Sequence, residues 1–244
     1  MVNDIMAKDF LSLGLQPNDT ILVHSSLSSL GYVKGGADTV IDTLLSVLTE
    51  GTLLMPALSY STVRKETPLF SIKDTPSCVG TISETFRKRE GVLRSMHPTH
   101  SVCAIGVHAK EILSQHRAAD TPAGASSPFA LLPKYNGKIL MLGCKLFPNT
   151  SMHAVEELSK PWYLLKDEQV RFELQDYDGS ITEKMYWCHN FPKVRQRYDR
   201  VAEIMEIRQG KVLSADCYLI DAAEMWRNAG AMLLKNEEYF IDRL

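Results

Sequence analysis

Along residues 20–157, short apolar runs of strand length repeatedly give way to stretches with the 3.6-residue spacing of a helix, with glycines and polar turns at the joints. Such alternation places successive strands in one sheet and covers its faces with helices, so an α/β domain with a central mixed sheet flanked by helices is the expected architecture. The spacing predicts strands over 20–23, 52–55, 101–105 and 139–143. It predicts helices over about 4–13, 37–48, 79–88 and 109–113, with a further helix opening near residues 149–151. Residues 57–77 have no clear period and read as a long loop, a kind of segment that often carries function.

The pattern changes after Lys160. Residues 162–174 and 181–187 read as strands joined by the turn Asp176-Tyr177-Asp178-Gly179-Ser180, an antiparallel carboxyl-terminal addition to the sheet or its edge. Residues 192–207 read as a helix, 210–212 as a short strand and 220–234 as a helix. No linker, repeat or low-complexity segment divides the chain, so residues 1–244 are expected to form a single domain. A chain of 244 residues, 45% of them hydrophobic, can bury a sizeable core.

Charge and cysteine usage narrow the class. A net charge of -2 gives no reason to expect a nucleic-acid partner. No apolar run approaches the roughly 18 residues that cross a bilayer, and the amino terminus lacks the basic-then-apolar layout of a secretory signal. Cys78, Cys103, Cys144, Cys188 and Cys217 are scattered and never form CxxC, so neither a disulfide framework nor structural zinc is expected, and a cytoplasmic setting is natural.

Several constellations could carry chemistry. The run from Asn149 to Glu156 follows the strand over 139–143, where open α/β sheets tend to place their ligands. Asn149, Thr150 or Ser151 can cap the helix, and His153 and Glu156, three residues apart, share one face of it. A carboxylate beside an imidazole fixes its tautomer and favours its protonated form, as a general base requires; the same spacing also suits a surface ion pair. The loop HSSLSSLGYVKGG (residues 24–36) combines hydroxyls, Lys34, Gly35 and Gly36 where a helix start favours an anion. It is neither GxxxxGK[ST] nor GxGxxG, and a plain capped connection would use similar residues. In MHPTHS (residues 96–101), His97 and His100 could bind a metal, but no neighbouring carboxylate or cysteine completes a set. A hydrogen-bonded structural role or the wall of a substrate site suits them better, with Thr99 beside them. Cys144 could be a nucleophile with His153 as its base, or a small core or loop residue. Glu156-Glu157 and Glu237-Glu238 read as solvated helix faces.

Taken together, VHSSLSSLGYVKGGADTVIDTLL, GTLLMPALS, VLRSMHPTHSV, SSPFALL, GKILMLG and NTSMHAVEEL, in this order, resemble the aminoglycoside 3-N-acetyltransferase family, of the antibiotic N-acetyltransferase superfamily. The resemblance implies that family's fold and an N-acyltransferase that uses acetyl-CoA or another acyl-CoA as cosubstrate, with no metal. It implies His153 as the catalytic histidine and Glu156 as the carboxylate one turn later. Ser25, Ser26, Ser28, Lys34, Gly35 and Gly36 would hold the coenzyme. Asn149, His97, Thr99 and His100 would meet a small-molecule amine acceptor. The subunit number stays open, a homodimer included.

The acceptor is read from charge. Aminoglycosides are polycations and call for carboxylates, whereas residues 60–65 end in Arg64-Lys65. A nucleotide-linked amino sugar is therefore the expected acceptor, an aminoglycoside (hence antibiotic resistance) the alternative, and a Cys144 or Ser25 hydrolase the remoter one.

Overall fold

The computed structural model describes residues 2–244. Its centre is a seven-stranded sheet built from β1 (Thr20–Ser25), β2 (Thr52–Pro56), β4 (Leu93–Arg94), β5 (Val102–Gly106), β6 (Lys138–Leu142), β10 (Arg208–Val212) and β11 (Ala215–Asp221), in the order β10-β11-β6-β1-β2-β5-β4. β1 runs parallel to both β2 and β6. The flanking strands β5, β4, β11 and β10 are antiparallel to their neighbours. The mixed sheet expected from the alternation is present.

The inner strands β1, β2 and β6 are buried along nearly their whole length because both faces are covered. On one face α1 (Val2–Leu13), α2 (Gly36–Val47) and α3 (Thr81–Arg87) pack Phe10, Leu44 and Phe86 onto Val23, Leu53, Leu140 and Cys217. On the other, α4 (Ala109–Ser114), α5 (Pro128–Leu131), α6 (Ser151–Ser159) and α7 (Ala222–Lys235) enclose Leu22, Leu54, Met141, Phe129 and Met225. The carboxyl ends of the parallel strands open into loops on one side of the sheet. Gly143, at φ 69, ends β6 there. A Cβ at that point would lie 2.8 Å from the Ser29 side chain and 3.2 Å from the Ser26 carbonyl. Absence of a side chain thus lets the serine-rich loop pack against β6, and the Ser26 amide donates to the Leu142 carbonyl at 2.9 Å.

The carboxyl-terminal part departs from the sequence expectations in several places. The hairpin β7 (Val170–Gln175) and β8 (Ile181–Tyr186) does not join the main sheet; with β3 (Leu69–Ser71), inside the segment read as loop, it forms a separate three-stranded sheet. The antiparallel strands that extend the central sheet are β10 and β11. Of the strand predicted over 162–174 only Val170–Gln175 pairs as one. Residues 192–207 are not an α-helix: they hold β9 (Val194–Gln196), paired with β12 (Ile241–Arg243), and a 3₁₀ segment, Tyr198–Glu203. Val194, Tyr198 and Val201 have helical spacing, but Val194 packs in a small cluster with Tyr163 and Ile241, while Tyr198 and Val201 join the main core. The strand β11 runs through Asp221, whose carboxylate accepts the Glu224 amide at 2.8 Å and so starts α7 after, not at, Ile220.

Arg94 ties the 57–77 segment to the sheet. It is 6% exposed and donates to the carbonyls of Ala57 at 3.0 Å and Thr75 at 2.5 Å and to the Ser101 hydroxyl at 2.9 Å. Burial pulls its guanidinium down to about 10, leaving it charged at neutral pH. Replacing Arg94 by Met takes its donor from the Thr75 carbonyl and leaves the Ala57 carbonyl with the Ser101 hydroxyl. The expected cost is about 3 kcal/mol in chemical denaturation, with limited proteolysis cutting first within 57–77.

Candidate active site

A cavity of about 710 Å³ opens beyond the carboxyl ends of β1, β2 and β6. His24 and Ser25 end β1, Pro56 ends β2, and Cys144 follows β6. Thr99 and His100 line one wall, Asn149, Thr150 and His153 another, and Cys188, His189, Phe191 and Tyr198 close it. The first turn of α6 faces the cavity because the buried strand β6 delivers the chain there.

Glu156 lies behind His153 with no solvent exposure. Its Oε1 accepts the Tyr163 hydroxyl at 2.8 Å and its Oε2 the Tyr198 hydroxyl at 2.6 Å. Tyr198 Oη also stands 2.6 Å from His153 Nδ1, which is itself 3.3 Å from Glu156 Oε2. A phenol has one proton. With that proton directed at the carboxylate, its oxygen is left to accept, so Nδ1 of His153 carries hydrogen and Nε2 keeps a lone pair. The network thus assigns the tautomer that can take a proton from something in the cavity.

Further histidines surround His153. His189 lies 4.2 Å from it between ring centroids, and His100 lies 4.8 Å from His189. Burial holds His24 down to about 3, and holds His100 and His189 well below the ordinary imidazole range, with His153 adding repulsion in each case. These rings are neutral at physiological pH.

The second carboxylate of the Glu156-Glu157 pair is not a solvated face either. Glu157 is 7% exposed, its Oε1 accepts the Ala123 amide at 2.7 Å, and its Oε2 accepts the Thr121 hydroxyl. His189 Nε2 stands 3.6 Å from Oε1. Burial pushes this carboxyl up to about 7 despite those donors.

The residues singled out from sequence divide into groups. His153, Thr99, His100, Asn149 and Ser25 share the main cavity. Both ends of the Asn149 amide are engaged within the protein: Oδ1 accepts the Ser151 amide at 3.2 Å and Nδ2 points at the Met225 sulfur at 3.2 Å. His97 is fully buried outside the cavity lining, and its Nδ1 accepts the amides of Thr99 at 3.3 Å and His100 at 3.0 Å. It shapes the turn that presents those two residues. Ser25, Ser26, Ser28 and Gly36 line an adjoining hollow of about 570 Å³, with Tyr32, Gly80 and Thr81, and Ser25 faces both spaces. Lys34 and Gly35 are exposed and line neither. Burial pushes the Cys144 thiol up to about 12, the reverse of an activated nucleophile. Among the described residues no group of three or more His, Cys, Asp or Glu is arranged to hold a metal ion. No described helix is long and apolar enough to cross a membrane.

Tyr163, Tyr198 and His189 escaped the sequence reading, and Glu157 was read as solvated. Tyr198 lies 42 residues from Glu156 and His189 lies 32 residues from Glu157. No local spacing links either pair; for Tyr163 the available signal was a polar ring set among strand-like residues.

The sequence profile described as aminoglycoside 3-N-acetyltransferase matches residues 22–234. Among curated proteins, the chain is 31% identical over 265 residues to the SPbeta prophage-derived aminoglycoside N(3')-acetyltransferase-like protein YokD of Bacillus subtilis, covering 91% of this chain and 90% of that one. It is 33% identical to aminoglycoside N(3)-acetyltransferase VII of Streptomyces paromomycinus, covering 90% and 87%. Among solved structures, that of aminoglycoside acetyltransferase AAC(3)-Xa is 27% identical with a TM-score of 0.83, covering 98% and 93%. That of AAC-IIIb as a binary complex with CoASH is 26% identical with a TM-score of 0.82, covering 96% of each chain.

Glu157 has a signature in stability. Its carboxyl sits above the ordinary 4.5, so the folded state holds that proton more tightly; the resulting stabilisation is complete below about 4.5 and lost as pH rises through about 7. The neutral buried histidines act oppositely, so the informative quantity is a difference. The stability of the protein minus that of Glu157→Gln is expected to fall by up to about 3 kcal/mol between these pH values in thermal unfolding. A flat difference would contradict the burial effect.

Proposed function

The chain belongs to the aminoglycoside 3-N-acetyltransferase family, and from that membership we propose that His153 accepts the proton of an amine as the amine is acetylated in the cavity around it. The protein is an N-acyltransferase with acetyl-CoA as acyl donor. The observation that carries the residue assignment is the Tyr198–His153–Glu156 arrangement, which leaves Nε2 of His153 as an acceptor in the cavity.

The coenzyme fits what the residues offer. The hollow beside Ser25, Ser26 and Ser28 supplies hydroxyls and the first turn of α2, a setting suited to a diphosphate. Gly36 has no side chain to fill it. Ser25 joins that hollow to the main cavity, so a long coenzyme held in the first can present its thioester in the second. When bound, acetyl-CoA supplies an activated acetyl group with a thiol as leaving group.

The remaining work falls to side chains. His153 Nε2 takes a proton from the attacking amine, and the same nitrogen can return it to the departing sulfur. Tyr198 and Glu156 hold the ring in the required tautomer and offset the positive charge it gains. Holding both reactants in one cavity replaces a chance encounter with a positioned one. No covalent bond to the protein is needed, which agrees with the raised Cys144 thiol.

The names of the relatives point to an aminoglycoside amine as the acceptor, and this is the reading we adopt. A nucleotide-linked amino sugar is the second reading, favoured by one observation. The cavity wall includes Arg64, Lys65 and Lys166 but only Glu66 as a carboxylate, and that is 3.8 Å from Arg64. A polycation meets few unpaired acids there, whereas a diphosphate meets cations. Thiol release from acetyl-CoA, measured with gentamicin-type drugs and with nucleotide-linked amino sugars, separates the two. Faster turnover of the drugs confirms the first reading, and turnover of the nucleotide sugars alone overturns it.

The residue roles predict a graded series. His153→Ala should lower kcat by roughly 100- to 10,000-fold. Tyr198→Phe, which removes the hydroxyl's bonds to Glu156 and His153 while His153 can still reach Glu156, should cost roughly tenfold. Cys144→Ala should stay within about twofold of the unaltered protein, since no step uses the thiol.

A further inference from the structure

We propose that His189 and Glu157 form a second acid–base pair in this cavity, taking the first proton from the ammonium form of the acceptor; the proposal rests on the amine-acetylation reading above. At neutral pH a sugar amine enters largely as ammonium. It must lose one proton to gain a lone pair and a second as its bond to carbon forms. His153, with Nδ1 already carrying hydrogen, can take only one of them. The other needs a different base within reach of the same nitrogen.

His189 meets that need by position. It lines the cavity, and its ring lies 4.2 Å from that of His153. Its Nε2 is buried with no hydrogen-bond partner, 3.6 Å from Glu157 Oε1. Glu157 accepts the Ala123 amide and the Thr121 hydroxyl and has a further lone pair on Oε1 for an N–H. A shift of about half an ångström would complete that bond, leaving Nδ1 of His189 as an acceptor. Consecutive residues of α6 would then each back one histidine, Glu156 behind His153 and Glu157 behind His189. The other titratable groups facing His189 are His100 and His97, both held neutral by burial, and those facing Glu157 are Asp120 and Lys160.

The step balances. An N–H bond of the ammonium breaks and its proton joins His189 Nδ1, while the Nε2–H bond breaks and that proton joins Glu157 Oε1. The electron pair stays on the amine nitrogen, His189 ends as the opposite neutral tautomer, and Glu157 ends as the acid. Its carboxyl, raised to about 7 by burial, can take and later release that proton near neutral pH.

The test is the pH profile of kcat/KM with gentamicin, or with a nucleotide-linked amino sugar if that turns over faster. Without the relay only the free-amine fraction can react. Glu157→Gln and His189→Asn should each lose roughly tenfold near pH 7.5 and less than about twofold near pH 9.5, where the amine is already neutral. His153→Ala should lose activity equally at both. An equal loss at both pH values in the Glu157 and His189 variants overturns the relay. Nitrogen NMR of the histidine rings, with the same amine and no coenzyme, gives a readout apart from turnover: His189 Nδ1 should become protonated in the unaltered protein and not in Glu157→Gln. If no amine is acetylated at all, the transferase reading fails by itself. The relay is then decided by the NMR alone, where a tautomer change on adding gentamicin supports it and none refutes it.

Discussion

A carboxyl group taken wholly out of water must find hydrogen-bond donors, or its burial costs several kcal/mol. Glu156 meets this with two tyrosine hydroxyls and a histidine, and among the described residues no lysine or arginine pairs with it. The three partners come from different parts of the chain: His153 from α6, Tyr163 from the turn after it, and Tyr198 from the 3₁₀ segment after β9. Satisfying one buried acceptor therefore draws the carboxyl-terminal segments onto the opening of the sheet. The cavity, the tautomer of His153 and the closing wall at Tyr198 all follow from that requirement. Using hydroxyls rather than an ammonium or guanidinium keeps the carboxylate's charge available to offset an imidazolium.

The histidines around it show the same economy. Each is buried deeply enough to be neutral, so none would compete with the positive charge that the proposed base, His153, would acquire. Cationic side chains are instead confined to the cavity's outer residues, where Arg64, Lys65 and Lys166 remain exposed. A neutral interior beneath a basic rim suits proton transfer at the base and charge selection at the entrance.

How much of this could be read from sequence depended on the range of the interaction. The helix and strand spacing over 20–157 led to the correct central sheet, because burial on both faces of an inner strand and on one face of a helix leaves a periodic imprint. The imprint misled over 192–207, where Val194, Tyr198 and Val201 have helical spacing but bury into two separate clusters. Glu156-Glu157 looked like a solvated pair because charged neighbours usually are, yet α6 is so enclosed that both are buried. Of HPTHS, Thr99 and His100 line the cavity, while His97 holds the turn by accepting two backbone amides.

The sequence by itself therefore determined the α/β architecture, the family, and the pairing of His153 with Glu156, since these rest on contacts within a few residues or on motifs in linear order. Only the tertiary structure decided which nitrogen of His153 is free, that Tyr198 and Tyr163 complete Glu156, that Glu157 and His189 are neighbours, and that Lys166 joins Arg64 and Lys65 at the cavity. Apart from Tyr163, seven residues beyond Glu156, those features depend on pairs tens of residues apart. Their spacing is set by chain packing and not by any local period, so no window of sequence contains both partners.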